Sequence, residues 1–256
     1  MCCPEAAWRY SDADGTSAET QYGDEIAVEM PCEPVEEVLL DVVYLHDVTG
    51  SMGDEMAQLQ FTTERVMDML EDEYGQAPGQ SPEMIRVGGV LYRDRGDEFI
   101  TKVIDFDTPR RFSSAFQRFG ADGGGDTPES VNAGLDDALQ MAWRDDAIKV
   151  IVLVGDAEPH DYRDDPWDRY LALSEIAVGA GVRIHTVSAS GMGHRGEVVW
   201  REMALVTGGQ FVFLTYEGSG SGEPGDETSH HVEGYNVSDL GSIVFSLLKQ
   251  EVENQR

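Results

Sequence analysis

Residues 38–56 read VLLDVVYLHDVTGSMGDEM, and this stretch decides the fold. It opens with a mainly apolar run over residues 39–45, followed by a glycine turn and the start of a helical pattern. Such a run is typical of a buried strand that enters a strand–helix unit. Asp47, Thr49 and Ser51 stand at alternate positions directly after this strand. Because ligands bind at the carboxyl ends of strands in open α/β sheets, these oxygen-bearing side chains predict a site for a hard divalent cation such as Mg²⁺.

The rest of the chain alternates between strand and helix patterns. Further strands are predicted over residues 84–92, 99–106, 149–154, 182–187 and 211–214. Helices are predicted over residues 52–70, 131–142, 166–179, 197–207 and 238–252, with a short helix or an irregular segment over residues 112–119. This alternation predicts an α/β fold with a doubly wound, mostly parallel central sheet, one antiparallel edge strand and helices on both faces, in a Rossmann-like arrangement.

We expect one domain, over residues 36–252, preceded by an acidic and irregular segment over residues 1–35. Residues 216–235 are rich in Gly and Ser and are predicted to form a flexible loop before the C-terminal helix. All cysteines lie in the first segment, at Cys2, Cys3 and Cys32. An odd and clustered set of cysteines does not indicate a disulfide framework, although the third could pair with one of the first two.

The formal net charge is −31, from 18 Lys and Arg residues against 49 Asp and Glu residues. Such a surface repels phosphate backbones and anionic lipids, so the charge argues against nucleic acid and membrane surfaces as partners. No apolar run reaches the roughly 18 residues that a membrane-spanning helix needs, and the start of the chain shows no signal-peptide pattern. The compartment is therefore open: extracytoplasmic or at the cell surface if the native gene carries an upstream signal, and cytoplasmic otherwise.

Two further oxygen-bearing residues fall at the same predicted edge of the sheet. Thr127 lies in the glycine-rich loop GADGGGDTPES, residues 120–130, and Asp156 follows the strand over residues 149–154. The first strand and its crossover neighbour flank the topological switch point of a doubly wound sheet. The side chains expected to converge there around one cation are those of Asp47, Thr49, Ser51, Thr127 and Asp156.

This set of residues resembles the metal-ion-dependent adhesion site of the von Willebrand factor A domain. The signature of that family is Asp-x-Ser-x-Ser after the first strand, a Thr in the loop before a middle helix, and an Asp that closes the fourth strand. The same order and wide spacing occur here, and the segments DVTGSMGDE, YRD, GGGDTPESV and LVGDAEPHD also look like bacterial members. Thr49 stands in place of the first Ser and keeps the hydroxyl group, so we expect cation binding to survive.

The resemblance implies a non-enzymatic protein-binding module for adhesion or interaction. In the family, the hydroxyl groups bind Mg²⁺ (or Mn²⁺ or Ca²⁺) directly, at least one carboxylate acts through water, and an acidic residue of a partner protein, Glu or Asp, completes the coordination. Neutral hydroxyl ligands leave positive charge on the cation, which is a physical reason for it to attract a carboxylate. An alternative with the same fold and site is an intracellular scaffold or adaptor subunit of a larger assembly, for example with an ATPase.

Several neighbours of these residues are open to two interpretations. Four residues could lie at the rim of the site, or could equally well be ordinary charged residues of solvent-exposed loops: Asp126, Glu158, His160 and Asp161. His46 is expected to be a packed residue beside the site, since imidazole is a poorer ligand for Mg²⁺. Thr127 also fits the N-cap of the following helix, with Pro128 in the first turn, and the two roles can coexist.

A serine hydrolase is the alternative from another class of protein. The sequence TGSMG, residues 49–53, nearly matches the nucleophile elbow G-x-S-x-G, with Ser51 as the nucleophile. Asp156 and either His160 or His185 follow in the order that such enzymes use. However, a threonine occupies the position where the elbow needs glycine, which makes this interpretation the weaker one.

Overall fold

The structure, a computed structural model, describes residues 38–74, 84–125, 127–189, 191–214 and 240–255. The chain divides into two compact units, Met1–Glu37 and Val38–Arg256, and all of the described residues belong to the second. The predicted N-terminal segment over residues 1–35, with its three cysteines, lies outside these ranges, and so do Asp126 and the predicted flexible loop over residues 216–235.

A six-stranded sheet forms the centre of the described fold. Its strands are β1 (Leu40–Asp47), β2 (Ile85–Tyr92), β3 (Thr101–Asp107), β4 (Ile148–Gly155), β5 (Val182–Ser188) and β6 (Phe211–Phe213). Their order across the sheet is β3-β2-β1-β4-β5-β6. Neighbouring strands are parallel except β2 and β3, which pair as an antiparallel hairpin at one edge. The predicted mostly parallel sheet with one antiparallel edge strand is therefore confirmed.

Helices surround this sheet. Those in the described ranges are α1 (Gly53–Tyr74), α2 (Pro109–Phe116), α3 (Val131–Leu139), α4 (Arg169–Ala180), α5 (His194–Thr207) and α6 (Leu240–Gln255). The helix α2 begins at Pro109 rather than at residue 112, because proline is favoured in the first turn of a helix. The helix α4 begins later than predicted, since the main chain at Pro166 first forms a turn with Arg169. None of the helices in the described part of the chain is long and apolar enough to cross a membrane.

Strand β1 packs against a hydrophobic layer on each face of the sheet, and all of its residues are buried. Val42 and Tyr44 belong to the layer formed with α1, α2 and α6. Val43 and Leu45 point to the opposite face, where α3, α4 and α5 cover the sheet. Each such apolar side chain stabilises the fold by about 1.5–3 kcal/mol relative to an exposed one. The prediction of helices on both faces is confirmed.

One of the two buried acidic residues of β1, Asp41, lies in the middle of the apolar run. The carboxylate of Asp41 lies 2.6 Å from the Arg86 guanidinium and 2.7 Å from that of Arg144. Burial raises the pKa of Asp41, but hydrogen bonds from Arg86 and from the main chain and side chain of Arg144 outweigh it, so the pKa lies below its usual value. The acid in the middle of the apolar run is therefore part of an ion-paired network that ties β1 to β2 and to the segment before β4.

Candidate metal centre

The candidate site lies at the carboxyl edge of the sheet, between β1 and β4. These two strands are neighbours, and the chain leaves them in opposite directions across the sheet, to β2 on one side and to β5 on the other. Asp47 is the last residue of β1, and Asp156 comes directly after β4. The sheet therefore brings the two carboxylates to its topological switch point, where ligands bind in open α/β sheets.

The loop after β1 is organised by the side chain of Asp47. Its Oδ1 atom accepts hydrogen bonds from the main-chain N–H of Thr49 at 2.9 Å and from the Thr49 hydroxyl at 2.7 Å. The Thr49 hydroxyl also lies 3.4 Å from the Ser51 hydroxyl. An Asp side chain that accepts from the main chain two residues on stabilises a tight turn. The alternate spacing of the three residues thus places one carboxylate and two hydroxyl groups side by side.

The glycine-rich loop is packed directly on this turn. The main-chain N–H of Gly50 donates to the Gly123 carbonyl at 3.0 Å. Gly123 and Gly124 have positive φ angles of 77° and 68°, which favour glycine. A Cβ atom on Gly124 would lie only 2.7 Å from Cβ of Thr49. The glycines therefore permit a close approach between the two loops, and this approach carries Thr127 towards the turn.

An open cleft of about 320 Å³ lies at the point where these loops meet. Its polar lining comes from Thr49, Ser51, Thr127, Glu129 and Asp156, and the remaining lining comes from Gly50, Gly123, Gly124, Gly125 and Gly191. Burial raises the pKa of Asp156, and a hydrogen bond with Ser51 works in the opposite direction. Four of the five predicted site residues line this cleft. The fifth, Asp47, is fully buried behind it and reaches it through Thr49.

The negative charge of the buried Asp47 carboxylate is not compensated by a positive charge in this arrangement. Its Oδ2 atom is buried and forms no well-aligned hydrogen bond with any described residue, and the nearby Tyr92 hydroxyl carries no positive charge that could compensate it. Burial and the nearby charge of Asp156 raise the pKa of Asp47 to about 7, although the hydrogen bonds from Thr49 work against this shift. A buried carboxylate without compensating positive charge is costly. The site as built from the chain alone therefore has an excess of negative charge.

Glu129 is the functional candidate that the sequence analysis missed. It is 4% exposed, and its Oε2 atom is buried without a hydrogen-bond partner among the residues that the structure describes. Burial and then the charges of Asp47, Asp94, Asp156 and Asp97 raise its pKa to about 9. One signal in the sequence could have indicated it, an acidic residue only two positions beyond Thr127, but this segment was interpreted as a helix start.

The interpretation of Thr127 as a helix N-cap is wrong. Helix α3 begins at Val131, and Ser130 occupies the N-cap position. The preceding residues form an extended connection instead, in which the N–H of Glu129 donates to the Glu158 carbonyl at 3.0 Å. This bridge fixes the end of the glycine-rich loop against the segment that follows Asp156. Thr127 remains exposed and available to the cleft.

The other candidate residues have different surroundings. His46 is buried and packed beside the Phe116 ring, as predicted, and burial lowers its pKa to about 4. His160 places Nε2 at 2.6 Å from Asp94 Oδ1 and stacks on Tyr162. Asp161 accepts a hydrogen bond from the main chain of Trp167. These contacts explain the described side chains without a cation, and Glu158 contributes its main-chain carbonyl to the bridge with Glu129.

The residues proposed for a serine hydrolase are not assembled into a triad. Ser51 interacts with Thr49 and Asp156. His160 pairs with Asp94, as described above. His185 is buried in β5, where its Nε2 atom lies 3.1 Å from Glu251 of α6. Neither histidine that could serve as the base is therefore oriented by hydrogen bonding towards Ser51.

The donor set fits a hard divalent cation. Within the described ranges, no group of three or more His, Cys, Asp or Glu side chains is arranged to hold a metal ion. A cation in the cleft would therefore depend on the hydroxyl groups of Thr49, Ser51 and Thr127 together with Asp47 and Asp156. Carboxylate and hydroxyl oxygens are the ligands that Mg²⁺, Mn²⁺ and Ca²⁺ prefer. The unpartnered Asp47 oxygen and the open cleft provide the negative charge and the access that such an ion needs.

Sequence comparison identifies the family. A family model described as the von Willebrand factor A domain matches residues 41–216, which is more than half of the chain. The protein therefore belongs to the von Willebrand factor A domain family. A comparison with curated proteins finds no match.

Solved structures share the fold at low sequence identity. The pilus adhesin SpaC from Lactobacillus rhamnosus GG, in an open conformation, has a TM-score of 0.55 and 12% identity, and the match covers 85% of this chain and 30% of the adhesin. An aerotolerance-related membrane protein from Bacteroides fragilis, with multiple mutations to serines, has a TM-score of 0.53 and 12% identity over 84% of this chain and 99% of its own. Proximal thread matrix protein 1 from the mussel byssus, with a zinc-occupied MIDAS motif, has a TM-score of 0.50 and 15% identity over 69% of this chain and 42% of its own. This chain spans less than a third of the length of the adhesin.

Proposed function

We propose that this protein is a non-enzymatic protein-binding module that depends on a divalent cation. Its family supports a role in interaction, and the pilus adhesin among the structures of the same fold is consistent with that role. In this proposal Mg²⁺, Mn²⁺ or Ca²⁺ occupies the cleft, and an acidic side chain of a partner protein, Glu or Asp, completes the coordination. The residues that hold the cation are Asp47, Thr49, Ser51, Thr127 and Asp156.

The observation that carries the proposal is the unpartnered, buried oxygen of Asp47. Its other oxygen is fixed by Thr49, so the carboxylate cannot relieve its burial by turning towards solvent. A divalent cation supplies the missing positive charge when it is bound. The proposal of a bound divalent cation is supported by the mussel protein of the same fold, whose MIDAS motif is occupied by zinc.

The hydroxyl groups give the site its binding chemistry towards a partner. The Thr49, Ser51 and Thr127 side chains contribute oxygen donors without adding negative charge. A cation held partly by neutral ligands keeps some positive charge towards solvent and attracts an incoming carboxylate. The glycines that line the cleft leave room for that side chain to approach.

A role as a scaffold or adaptor subunit uses the same site and remains the alternative setting. It differs from adhesion only in the compartment and in the identity of the acidic partner, for example a component of an ATPase assembly. The start of the native gene distinguishes the adhesion role from the scaffold role, because an encoded secretion signal would place the domain at the cell surface. A hydrolase would require a base at Ser51, and the contacts of His160 and His185 give no support to one.

The test is calorimetric titration with Mg²⁺ and Mn²⁺ on the wild-type protein and on the double variant Ser51→Ala/Thr127→Ala. We expect one saturable site in the wild type and its loss in the double variant. The matched control is Ser114→Ala, which removes an exposed hydroxyl that bonds only within α2. Weak and diffuse binding that is the same in all three proteins would overturn the proposal. A saturable site would then justify capture of partner proteins with and without a chelator.

A further inference from the structure

Glu129 stands out because it is a buried acid of the cleft that is not one of the five residues of the proposed cation site. It is 4% exposed, and it lines the same cleft as Thr49, Ser51 and Asp156. Within the described ranges, no residue forms a hydrogen bond with its buried Oε2 atom. An unpaired buried carboxylate destabilises the protein unless positive charge lies close by.

The position of Glu129 is fixed by the main chain on both sides. Its N–H donates to the Glu158 carbonyl at 3.0 Å, and its own carbonyl accepts from the His160 N–H at 3.2 Å. A Cβ atom on Gly124 would lie 3.1 Å from Oε1 of Glu129 and 2.7 Å from Cβ of Thr49. The Glu129 carboxylate and the Thr49 side chain therefore approach the same glycine from the cleft.

We propose that Glu129 is the third anionic group of the cation site and sets its net charge, acting through space or through a bound water and not as a direct ligand. This inference rests on the proposed function. We assign Glu129 the indirect role because no set of three acidic side chains in the described ranges is arranged to hold a single ion, and Asp47 and Asp156 are the two acids of the proposed cation site. With Asp47, Asp156 and Glu129 ionised around a divalent cation, the site carries one net negative charge.

This charge count has two consequences. The attraction between Glu129 and the cation is proportional to the charge of the cation, so the residue favours a trivalent over a divalent ion. It also weakens the attraction of the site for a partner's acid, since like charges repel. Glu129 therefore determines which cation is held most tightly and how strongly a carboxylate is bound.

The test compares Mg²⁺ and Tb³⁺ binding to the wild type and to Glu129→Gln, by calorimetry and terbium luminescence. Gln has nearly the same shape but no charge. We expect Mg²⁺ affinity to fall about tenfold and Tb³⁺ affinity to fall about thirtyfold, because the electrostatic contribution scales with ion charge. The matched control is Glu98→Gln, which removes an acid whose side chain is 75% exposed, and its affinities should stay within about twofold of the wild type.

Thermal unfolding gives a second readout that separates charge from packing. Without a cation, Glu129→Gln should unfold at the same temperature as the wild type or higher, since Gln keeps the shape of the buried side chain and has no carboxyl group that could ionise in a site without positive charge. With saturating Mg²⁺, its gain in unfolding temperature should be smaller than that of the wild type. A purely structural glutamate would instead lower the unfolding temperature under both conditions, and that result would overturn the inference.

The two proposals fail in different ways. A wild-type protein without a saturable cation site overturns the proposed function and this inference with it. A wild-type site that binds Mg²⁺ and Tb³⁺, together with equal affinities in Glu129→Gln, overturns only the assignment of Glu129. An equal loss for both ions also overturns it, because a charge effect must be larger for the trivalent ion.

Discussion

The carboxylate of Asp97 accepts a hydrogen bond from the main-chain N–H of Gly124 at 3.0 Å. The same Oδ2 atom accepts from the Asp94 N–H at 3.2 Å, so one side chain holds both the turn after β2 and the glycine-rich loop. A Cβ atom on Gly123 would lie 2.5 Å from this carboxylate. Asp97 therefore fixes the loop that carries Thr127 and Glu129, although it does not line the cleft itself.

We predict that Asp97→Ala lowers Mg²⁺ affinity about tenfold, because the loop loses its anchor and Thr127 is no longer held towards the cleft. Asp97→Asn keeps an oxygen acceptor for the Gly124 N–H and should retain affinity within about threefold of the wild type. Calorimetric titration of both variants measures the difference. Equal affinities in Asp97→Ala and the wild type would show that the loop keeps its position without Asp97.

The second prediction concerns Gly155, the last residue of β4. A Cβ atom there would lie 2.6 Å from the Tyr92 hydroxyl and 3.0 Å from Cβ of Asp47. Gly155→Ala should therefore lower the free energy of unfolding by about 1–3 kcal/mol and also weaken Mg²⁺ binding by displacing Asp47. Urea denaturation and calorimetry measure the two effects.

The control for this variant is Gly179→Ala in helix α4. A Cβ atom at Gly179 would meet no atom of the described residues within 4 Å, so the replacement should raise the free energy of unfolding by about 0.5–1 kcal/mol. Its Mg²⁺ affinity should be that of the wild type. If Gly155→Ala showed the same stability and Mg²⁺ affinity as Gly179→Ala, that result would contradict the close packing between β4, Tyr92 and Asp47.

The third prediction is that Asp41→Ala lowers the free energy of unfolding by about 3 kcal/mol, because it leaves the guanidinium groups of Arg86 and Arg144 without their buried acceptor. Since the pKa of Asp41 is lowered in the fold, this contribution should be fully present above the usual pKa of Asp and should disappear as the pH falls below that value and through the lowered pKa of Asp41. Glu64→Ala removes an exposed partner of Arg110 and should change stability by less than about 0.5 kcal/mol. Similar losses in both variants would contradict the role assigned to Asp41.

The sequence was informative where local patterns and tertiary structure agree. The helix over residues 52–70 was predicted because apolar residues recur at helical spacing, and Met56, Leu59, Thr63 and Val66 indeed lie on its buried face. The placement of Asp47 and Asp156 together followed from the strand–helix alternation, since parallel strands end at the same edge of the sheet. These features depend on spacing along the chain, which a sequence displays directly.

The sequence was less informative where long-range contacts decide. Thr127-Pro128-Glu129 fits the rules for a helix start, but a bridge between Glu129 and Pro159 keeps this segment extended until Val131. No local pattern encodes that bridge, so the segment was interpreted as a possible helix start and Glu129 was missed as part of the cleft. The burial of Asp41 is similar, since its two arginine partners lie 45 and 103 residues away along the chain.

The last prediction concerns pH. The pKa values of Asp47, about 7, and Glu129, about 9, lie above their usual values, so the folded protein without a cation binds more protons than the unfolded chain. Its stability should therefore fall as the pH rises towards 9, most clearly above about 6.5, where the lowered pKa of buried His46 no longer acts in the opposite direction. Because a cation favours the ionised carboxylates, Mg²⁺ binding should release protons and strengthen with pH, by up to roughly tenfold per pH unit for each proton released. Thermal unfolding at about pH 5, 7 and 9, with and without Mg²⁺, measures both trends.

The control is Asp47→Asn, whose side chain cannot ionise. In this variant, most of the pH dependence of the rise in unfolding temperature caused by Mg²⁺ should be lost. In the wild type, a rise that is equal at all three pH values would contradict the prediction.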